Sequence, residues 1–176
     1  MQGGDEDARR ARFELLAREL WAPLHRYLAR RADPQDAEDL LADVLLVLWR
    51  RLDEVPQDYA LPWAYRVAQG CLANARRSQQ RRLRLLHRLR DEPPLVAVDD
   101  PDLTSALGRL RHSDREVLRL WAWEGLEPRD LAVVLGITAN AAAVRLSRAR
   151  SALRNELGKD RPGAGQKPVR EEEVPR

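Results

Sequence analysis

The sequence predicts an all-α protein built from two small helical domains joined by a Pro-rich linker. Apolar residues recur at helical spacing along most of the chain, and no run of alternating β-branched residues is long enough for a strand. The segment 91–102, DEPPLVAVDDPD, contains three prolines and five acids and divides this pattern in two. A length of 176 residues is enough for one to two small domains.

The N-terminal domain is expected over residues 6–90. Its first helix is predicted from about Glu6 to Arg31, because apolar residues recur there every three or four positions. Pro23 lies inside this helix and is expected to kink or split it, since proline has no N–H to donate. The apolar residues that define the face of this helix are Phe13, Leu16, Leu20, Leu24, Tyr27 and Leu28.

Two further helices are predicted in this domain. Asp33 followed by Pro34 is typical of an N-cap with proline at the first helical position, and the helix that begins there extends to about Leu52. A loop is expected over residues 53–61. Pro62 then opens a third long helix, which ends within a run of arginines.

The rest of the chain is divided into a linker, a second domain and a tail. The linker at 91–102 contains a Pro-Pro pair that keeps it partly extended. The second domain is expected over residues 103–157. The tail, residues 158–176, has almost no apolar residue and is predicted to be disordered.

The end of the second domain predicts a helix-turn-helix. A short helix over 128–135 is followed by Gly136, which suits the left-handed conformation that ends a helix, and Thr138 is expected to cap the next helix. That next helix has an apolar seam and a polar outer face, which would enter the major groove of DNA. The seam is Ala142, Leu146, Ala149 and Leu153; the outer face contains Asn140, Val144, Ser147, Arg148 and Ser151, with Arg145 on one flank.

Charge is segregated along a chain whose net charge is only +3. Residues 32–58 hold eight acids and two bases, whereas residues 76–90 hold seven arginines and residues 139–154 hold four, both without an acid. A GC-rich genome explains the preference for arginine over lysine, but it does not explain these positions. The pattern indicates separate protein-facing and polyanion-facing surfaces. For the last helix, the alternative to a DNA-binding helix-turn-helix is an ordinary αα-hairpin with a solvated basic face. The solvated face of a helix usually carries both positive and negative charges, however.

The second helix carries a candidate partner surface. Asp39, Asp43 and Leu46 lie opposite the apolar seam of this helix. Acids in the first turn have an ordinary explanation, because carboxylates stabilise a helix N-terminus. That explanation does not cover Asp43 or the outward Leu46, although single exposed leucines are common on proteins.

The arginine run at the end of the third helix is either a solvated helix end or a stripe that follows phosphates. Trp63, at the start of this helix, favours a core position over a platform for stacking bases. Cys71 lies among apolar neighbours and is predicted to be a small core residue.

No local group of residues indicates catalysis or metal binding. The three histidines are far apart and lack metal-ligand spacing to Cys71, and there is neither a Gly-rich phosphate loop nor a G-x-S-x-G turn. The sequence therefore predicts a protein that is not an enzyme and uses no cofactor. One cysteine excludes an internal disulfide.

The longest apolar run, Val44 to Trp49, is far shorter than the roughly 20 residues of a membrane span. The first residues have no apolar core of a secretory signal. We therefore expect a cytoplasmic protein without membrane insertion.

Three stretches, taken together, resemble the extracytoplasmic-function group of sigma-70 family sigma factors. Residues 33–53, which include DAEDL, are similar to the polymerase-binding part of conserved region two, and residues 62–82 are similar to the promoter-melting part. Residues 106–154, which include VLGIT and RLSRARSALR, are similar to region four without a gap. The resemblance implies a sigma factor that binds core RNA polymerase and promoter DNA. It also implies an anti-sigma factor as a further partner, which the family often has.

The resemblance implies roles for particular residues. Asp39, Asp43 and Leu46 match the positions that contact the polymerase clamp. The loop at 53–61 and the following helix would hold the downstream promoter element, and the helix from Ala139 would read the upstream element. The residues for the downstream element and melting are Tyr59, Trp63, Arg76, Arg77, Arg81 and Arg82. The residues for the upstream element are Thr138, Asn140, Val144, Arg145, Ser147 and Arg148.

The chain departs from the family pattern in the recognition helix, where Ala143 and Val144 replace a common Lys-Ser pair. Base reading there would be more apolar, for example against thymine methyl groups. Two other functions stay open on the sequence alone. One is a helix-turn-helix regulator that binds DNA without polymerase, and the other is a helical adaptor that does not bind DNA.

Overall fold

The computed structural model describes residues 2–86 and 100–159, and within these ranges every regular element is helical, as predicted. Residues 87–99 and 160–176 contain most of the predicted linker and of the predicted disordered tail, and these predictions lie outside the described residues. In chain order the α-helices are α1 Gln2–Ala29, α2 Pro34–Arg50, α3 Ala60–Leu86, α4 Pro101–Arg109, α5 His112–Trp123, α6 Pro128–Leu135 and α7 Ala139–Lys159.

Helix α1 continues through Pro23, so of the two effects expected of this residue, a kink or a split, the split is wrong. Leu24, Tyr27 and Leu28 follow within about one turn and are fully buried. Their packing against α2 and α3 holds the helix together across the hydrogen bond that proline cannot donate.

The boundaries of the next two helices differ slightly from prediction. Helix α2 ends at Arg50, and a 3-10 turn over Leu52–Glu54 follows it. Asp33 has the extended backbone of an N-cap, but its side chain accepts no capping hydrogen bond. Helix α3 begins at Ala60, two residues before Pro62, because proline is tolerated in a first turn, where N–H groups lack helical partners.

The second helical unit starts at Pro101, two residues before the predicted boundary. The cause is a side-chain cap, in which Asp100 accepts hydrogen bonds from the N–H groups of Asp102 at 3.0 Å and Leu103 at 3.1 Å. The turn between α6 and α7 is confirmed, since Gly136 has φ 65° and ψ 37°.

The two helical units pack against each other. Helix α6 lies on α3, and one cluster of buried apolar residues includes members from both units. Its largest fully buried side chains include Tyr27 and Tyr65 from the first unit and Leu120 and Leu131 from the second. Burial raises the pKa of Tyr65 to about 12, so its hydroxyl stays neutral at ordinary pH.

Two equally buried arginines of α5 differ in their hydrogen bonding. Arg115 is 8% exposed and donates to the carbonyl oxygens of Gly108 and Leu110, both at 3.1 Å. Arg119 is 9% exposed, donates no hydrogen bond within the described residues, and its guanidinium lies 5.3 Å from the centre of the Trp123 ring. Burial lowers the pKa of Arg119, the charge of Glu116 opposes this shift, and neighbouring arginines add to it. The charge of Arg119 is therefore only partly compensated.

We expect Arg119→Met to raise the free energy of unfolding by about 1 kcal/mol, because it removes this charge and keeps an apolar stem. Arg115→Met, its matched control, is expected to lower that free energy by about 1–3 kcal/mol, since two carbonyls lose their donor. Thermal unfolding followed by circular dichroism measures both, and the first change corresponds to a Tm increase of roughly 2–4 °C. A lower Tm for Arg119→Met would contradict this account.

Candidate nucleic-acid interface

The outer face of α7 is the first candidate surface. Thr138 is exposed, and its Oγ1 accepts a hydrogen bond from the Ala141 N–H at 3.2 Å, so it caps the helix as predicted. The seam residues Ala142, Leu146 and Ala149 are buried. On the opposite side, the predicted reading face presents exposed side chains at Asn140, Val144, Ser147 and Arg148.

Positive charge dominates α7 up to its last turns. Arg145 is half-buried and Arg148 is exposed, and neither forms an ion pair within the described residues. The guanidinium of Arg150 lies 4.9 Å from the centre of the Trp121 ring, a contact that the sequence did not indicate because the tryptophan belongs to α5. The acid-free face leaves the donors of Arg145 and Arg148 available to an anion.

The arginines of α3 point in different directions. Arg81 is exposed, and Arg77 is exposed and donates to a side-chain amide one turn earlier on the same helix. Arg76 is half-buried, and its charge contributes to the lowered pKa of Arg119 in the second helical unit. The side chain of Arg82 lies outside the described residues. Of the three arginines of the predicted stripe whose side chains are described, two are therefore exposed and one is half-buried.

Tyr59 and Trp63 lie at the start of α3, and both are half-buried. The Trp63 N–H donates to the Tyr59 carbonyl at 2.9 Å, so the two residues are one helical turn apart. Trp63 packs against the core, as predicted, and the guanidinium of Arg51 lies 5.3 Å from its ring centre. Glu54 pairs with Arg51, and the hydrogen bond between them, together with the charge of Glu54, raises the pKa of that arginine. One face of the Trp63 ring is thus already in contact with a cation of the same domain.

The predicted partner face of α2 is exposed. Asp39 and Asp43 are both exposed, and Leu46 is 45% exposed. A groove of about 320 Å³ separates this face from α3, with Asp36 and both aspartates on its lining. Burial and the nearby Asp43 raise the pKa of the Cys71 thiol, which therefore stays protonated and fits its predicted role as a small core residue.

A second apolar feature of the same domain was missed by sequence reasoning. Leu15 is 56% exposed and Trp21 is 53% exposed, both on α1. Both residues lie outside the apolar face predicted for this helix. Their position in the sequence could therefore have indicated that they are exposed. A cavity of about 390 Å³ beside Trp21 is lined also by Phe13, Ala17, Arg18, Ala22 and Leu45.

Within the described ranges, no group of three or more His, Cys, Asp and Glu side chains is arranged to hold a metal ion. No single helix in these ranges is both long and apolar enough to cross a membrane. Helices α6 and α7, bent by 102° relative to each other, meet that criterion as a pair by length and composition only.

Two family models match the chain. The model for sigma-70 region 2 matches residues 13–82, and the model for sigma-70 region 4 matches residues 102–153. The RNA polymerase sigma factor NccH of Alcaligenes xylosoxydans xylosoxydans is 27% identical over 132 residues, which are 67% of this chain and 71% of NccH. The probable RNA polymerase sigma factor RfaY of Xanthomonas campestris pv. campestris is 29% identical over 74% of this chain, but the match covers only 36% of RfaY.

Solved structures share the fold. The sigma factor RpoE in complex with the anti-sigma factor NepR, from Bartonella quintana, is similar with a TM-score of 0.55 and 23% identity, over 86% of this chain and 98% of that one. CnrH, in complex with the cytosolic domain of CnrY, is similar with a TM-score of 0.56 and 23% identity, over 85% of this chain and 89% of that one. The PhyRSL–NepR complex from Sphingomonas sp. Fr1 gives a TM-score of 0.60 at 18% identity, over 90% and 99% of the two chains.

Proposed function

Because this chain belongs to the extracytoplasmic-function group of the sigma-70 family of RNA polymerase sigma factors, we propose how its surfaces direct polymerase to a promoter. Members of this family are transcription initiation factors rather than enzymes. The observation that carries the proposal is the pair of exposed surfaces on one chain: an acidic face with a leucine on α2, and an acid-free outer face on the helix-turn-helix. The first suits a protein partner and the second suits DNA.

The exposed face of α2 binds the core polymerase. Asp39 and Asp43 offer charge, and Leu46 offers an apolar side chain that a partner desolvates. All three lie on the side of α2 that the domain's own core leaves open.

Helix α7 reads the upstream promoter element. Arg148 points outward beside Ser147 and makes a bidentate contact with a guanine edge, whereas Arg145, on the flank, holds a phosphate. Val144, which is 41% exposed, contacts a thymine methyl group. Thr138 and Asn140, at the N-terminal end of the helix, bind the adjacent backbone.

The start of α3 and its arginines bind the downstream element. Tyr59 and Trp63, both half-buried at the start of α3, contact an unpaired base through the parts of their rings that stay exposed. The arginines follow the phosphates of the strand. The set consists of Arg76, Arg77, Arg81 and Arg82.

We infer a further partner and a location from the relatives. One similar structure is a sigma factor bound to an anti-sigma factor, and another is CnrH bound to the cytosolic domain of CnrY. An anti-sigma factor of this chain would cover the same exposed faces that serve polymerase and DNA. From these proposed partners we infer that the chain works in the cytoplasm.

The test compares promoter binding by the purified chain with and without core polymerase. A sigma factor binds its promoter tightly only with core, because each of its DNA contacts is small. Stable binding of duplex promoter by the chain alone would favour the helix-turn-helix regulator, which the exposed α7 face also allows. Weak, salt-insensitive binding in both cases would favour the adaptor.

If the exposed arginines of α3 bind phosphates, they contribute to the salt dependence of promoter binding. Replacing Arg77 and Arg81 by Gln is expected to flatten the log–log salt dependence of promoter binding by holoenzyme, by up to roughly 0.7–0.9 per lost phosphate contact. The matched control replaces Arg10 and Arg18, which are exposed on α1, and should leave the slope unchanged. Equal slopes in both double variants would mean that the α3 arginines are only solvated.

A further inference from the structure

Two arginines near the start of α1 hold the segment that joins α2 to α3. Arg9 donates from Nη1 to the Asp53 carboxylate at 2.6 Å and from Nη2 to the Trp49 carbonyl at 2.8 Å. Its guanidinium also lies 5.2 Å from the centre of the Trp49 ring. Three positions later, Arg12 donates from Nη2 to the Val55 carbonyl at 3.2 Å. These contacts fasten the end of α2 and the chain after it to residues 40 to 44 positions earlier.

The α2–α3 loop, residues 51–59, leads directly to the side chains proposed to bind an unpaired base. Val55 is buried, whereas residues 56–58 are exposed and form the tip of the loop. The Tyr59 N–H donates to the Pro56 carbonyl at 3.4 Å, directly after the residue that Arg12 holds. The path of the loop therefore determines where its exposed tip lies relative to the aromatic side chains at the start of α3.

The same contacts neutralise acids close to the proposed base-binding residues. The α2–α3 loop contains three acids, Asp53, Glu54 and Asp58. Arg9 pairs with Asp53, and Arg51 pairs with Glu54. Unpaired carboxylates at these positions would repel the phosphates of a promoter strand. Arg9 therefore both fixes the loop and reduces its negative charge.

The hydrogen bonds to the main chain carry more of this argument than the ion pair does. The Asp53 side chain is 77% exposed, and a pair so open to water contributes little stability. The bonds from Arg9 and Arg12 to main-chain carbonyls fix the backbone itself, and the planar fork of Arg9 reaches α2 and the loop at once. The region 2 family model begins at residue 13, so neither arginine belongs to the matched segment.

We propose that Arg9 and Arg12 are positioning residues for the downstream promoter element. They hold the α2–α3 loop against α1, so that an unpaired base meets Tyr59, Trp63 and the tip of the loop in one fixed arrangement. Neither arginine contacts the base. The part of the proposal that concerns DNA rests on the proposed function of α3, whereas the anchoring of the loop does not.

Hydrogen exchange on the full chain measures the anchoring without DNA. The double variant Arg9→Gln/Arg12→Gln is expected to speed amide exchange in the loop about tenfold, because the loop opens more often when these donors are lost. The amides to follow are those of Glu54, Val55 and Tyr59, which donate to carbonyls inside the loop.

The matched control is Arg10→Gln/Arg18→Gln. It removes two positive charges at exposed positions of the same helix and should leave the exchange rates of the loop unchanged. If Arg9→Gln/Arg12→Gln loses helix content by circular dichroism, Arg12→Gln alone takes its place in all measurements.

Selection of a randomised downstream element by holoenzyme measures the positioning. With Arg9→Gln/Arg12→Gln, the preference for the selected downstream sequence is expected to fall about tenfold, the size of one lost base contact. The preference within a randomised upstream element should stay the same, because α7 is untouched. A general loss of structure would weaken the preference at both elements.

The outcomes separate this inference from the proposed function. Unchanged exchange in the folded variant overturns the anchoring, because the burial of Val55 would then be enough to hold the loop. Faster exchange with an unchanged downstream preference overturns the positioning role, and so does an equal loss of preference at both elements. If holoenzyme with the unmodified chain shows no downstream preference, the proposed function of α3 is contradicted, and faster exchange in the variant still supports the anchoring.

Discussion

Replacing Asp43 by Arg together with Leu46 by Ala is expected to weaken binding to core RNA polymerase by at least about 2 kcal/mol, roughly a thirtyfold loss of affinity. Both residues are exposed on the face of α2 that points away from the core of the domain. The double change reverses a charge and removes an apolar contact at the centre of the proposed polymerase surface. Titration of labelled chain with core polymerase measures the effect.

The matched control for this variant is Asp7→Arg with Leu15→Ala. It makes the same two substitutions at exposed positions of α1, where we assign no polymerase contact. Its affinity for core should stay within about 0.5 kcal/mol of the unmodified chain, since isolated surface substitutions seldom do more. Equal affinities of the two double variants, with unchanged helix content, would remove the α2 face from the interface.

Arg148→Ala and Arg145→Ala are expected to impair promoter binding in different ways. Arg148 is exposed on the reading face, so its loss should cost about 1–3 kcal/mol on the preferred upstream element and relax the preference at one base pair. Arg145 lies half-buried on the flank, so its loss should weaken binding to all sequences about equally and reduce the salt slope. Each variant is the other's control for the loss of one positive charge.

Selection of a randomised upstream element by holoenzyme carrying each variant distinguishes these effects. The buried seam of α7 is untouched in both cases, so thermal stability should change by less than about 0.5 kcal/mol. An unaltered selected sequence and affinity in both variants would show that α7 does not read DNA. The adaptor would then be the better interpretation.

The helix-turn-helix was predictable from sequence because its signals are local. Gly136 is required by a left-handed turn, Thr138 caps the helix that starts beside it, and the seam of α7 repeats at steps of three and four. The outward position of Asp43 and Leu46 on α2 followed from the same periodicity. In each case, residues close in the chain determine the geometry.

What the sequence did not predict depends on contacts between distant residues. Arg31 and Glu124 are 93 positions apart, and no local pattern indicates that they meet. The partly covered position of Arg76 is a consequence of that same docking. Helix α1 continues through Pro23 because tertiary packing outweighs a local breaking signal. The sequence shows which residues carry charge. It does not show which of these residues form ion pairs in the folded protein.

Run-off transcription tests the central claim most directly. Core polymerase, the purified chain and the DNA upstream of its own coding region are mixed, and transcripts are compared with reactions that lack the chain or contain the Asp43→Arg/Leu46→Ala variant. We expect a transcript with a defined start site when the chain is present, no transcript when it is absent, and a much weaker transcript with the variant. A chain that binds core polymerase yet produces no transcript from any template in a genomic library, or a transcript that forms equally without the chain, would contradict that claim.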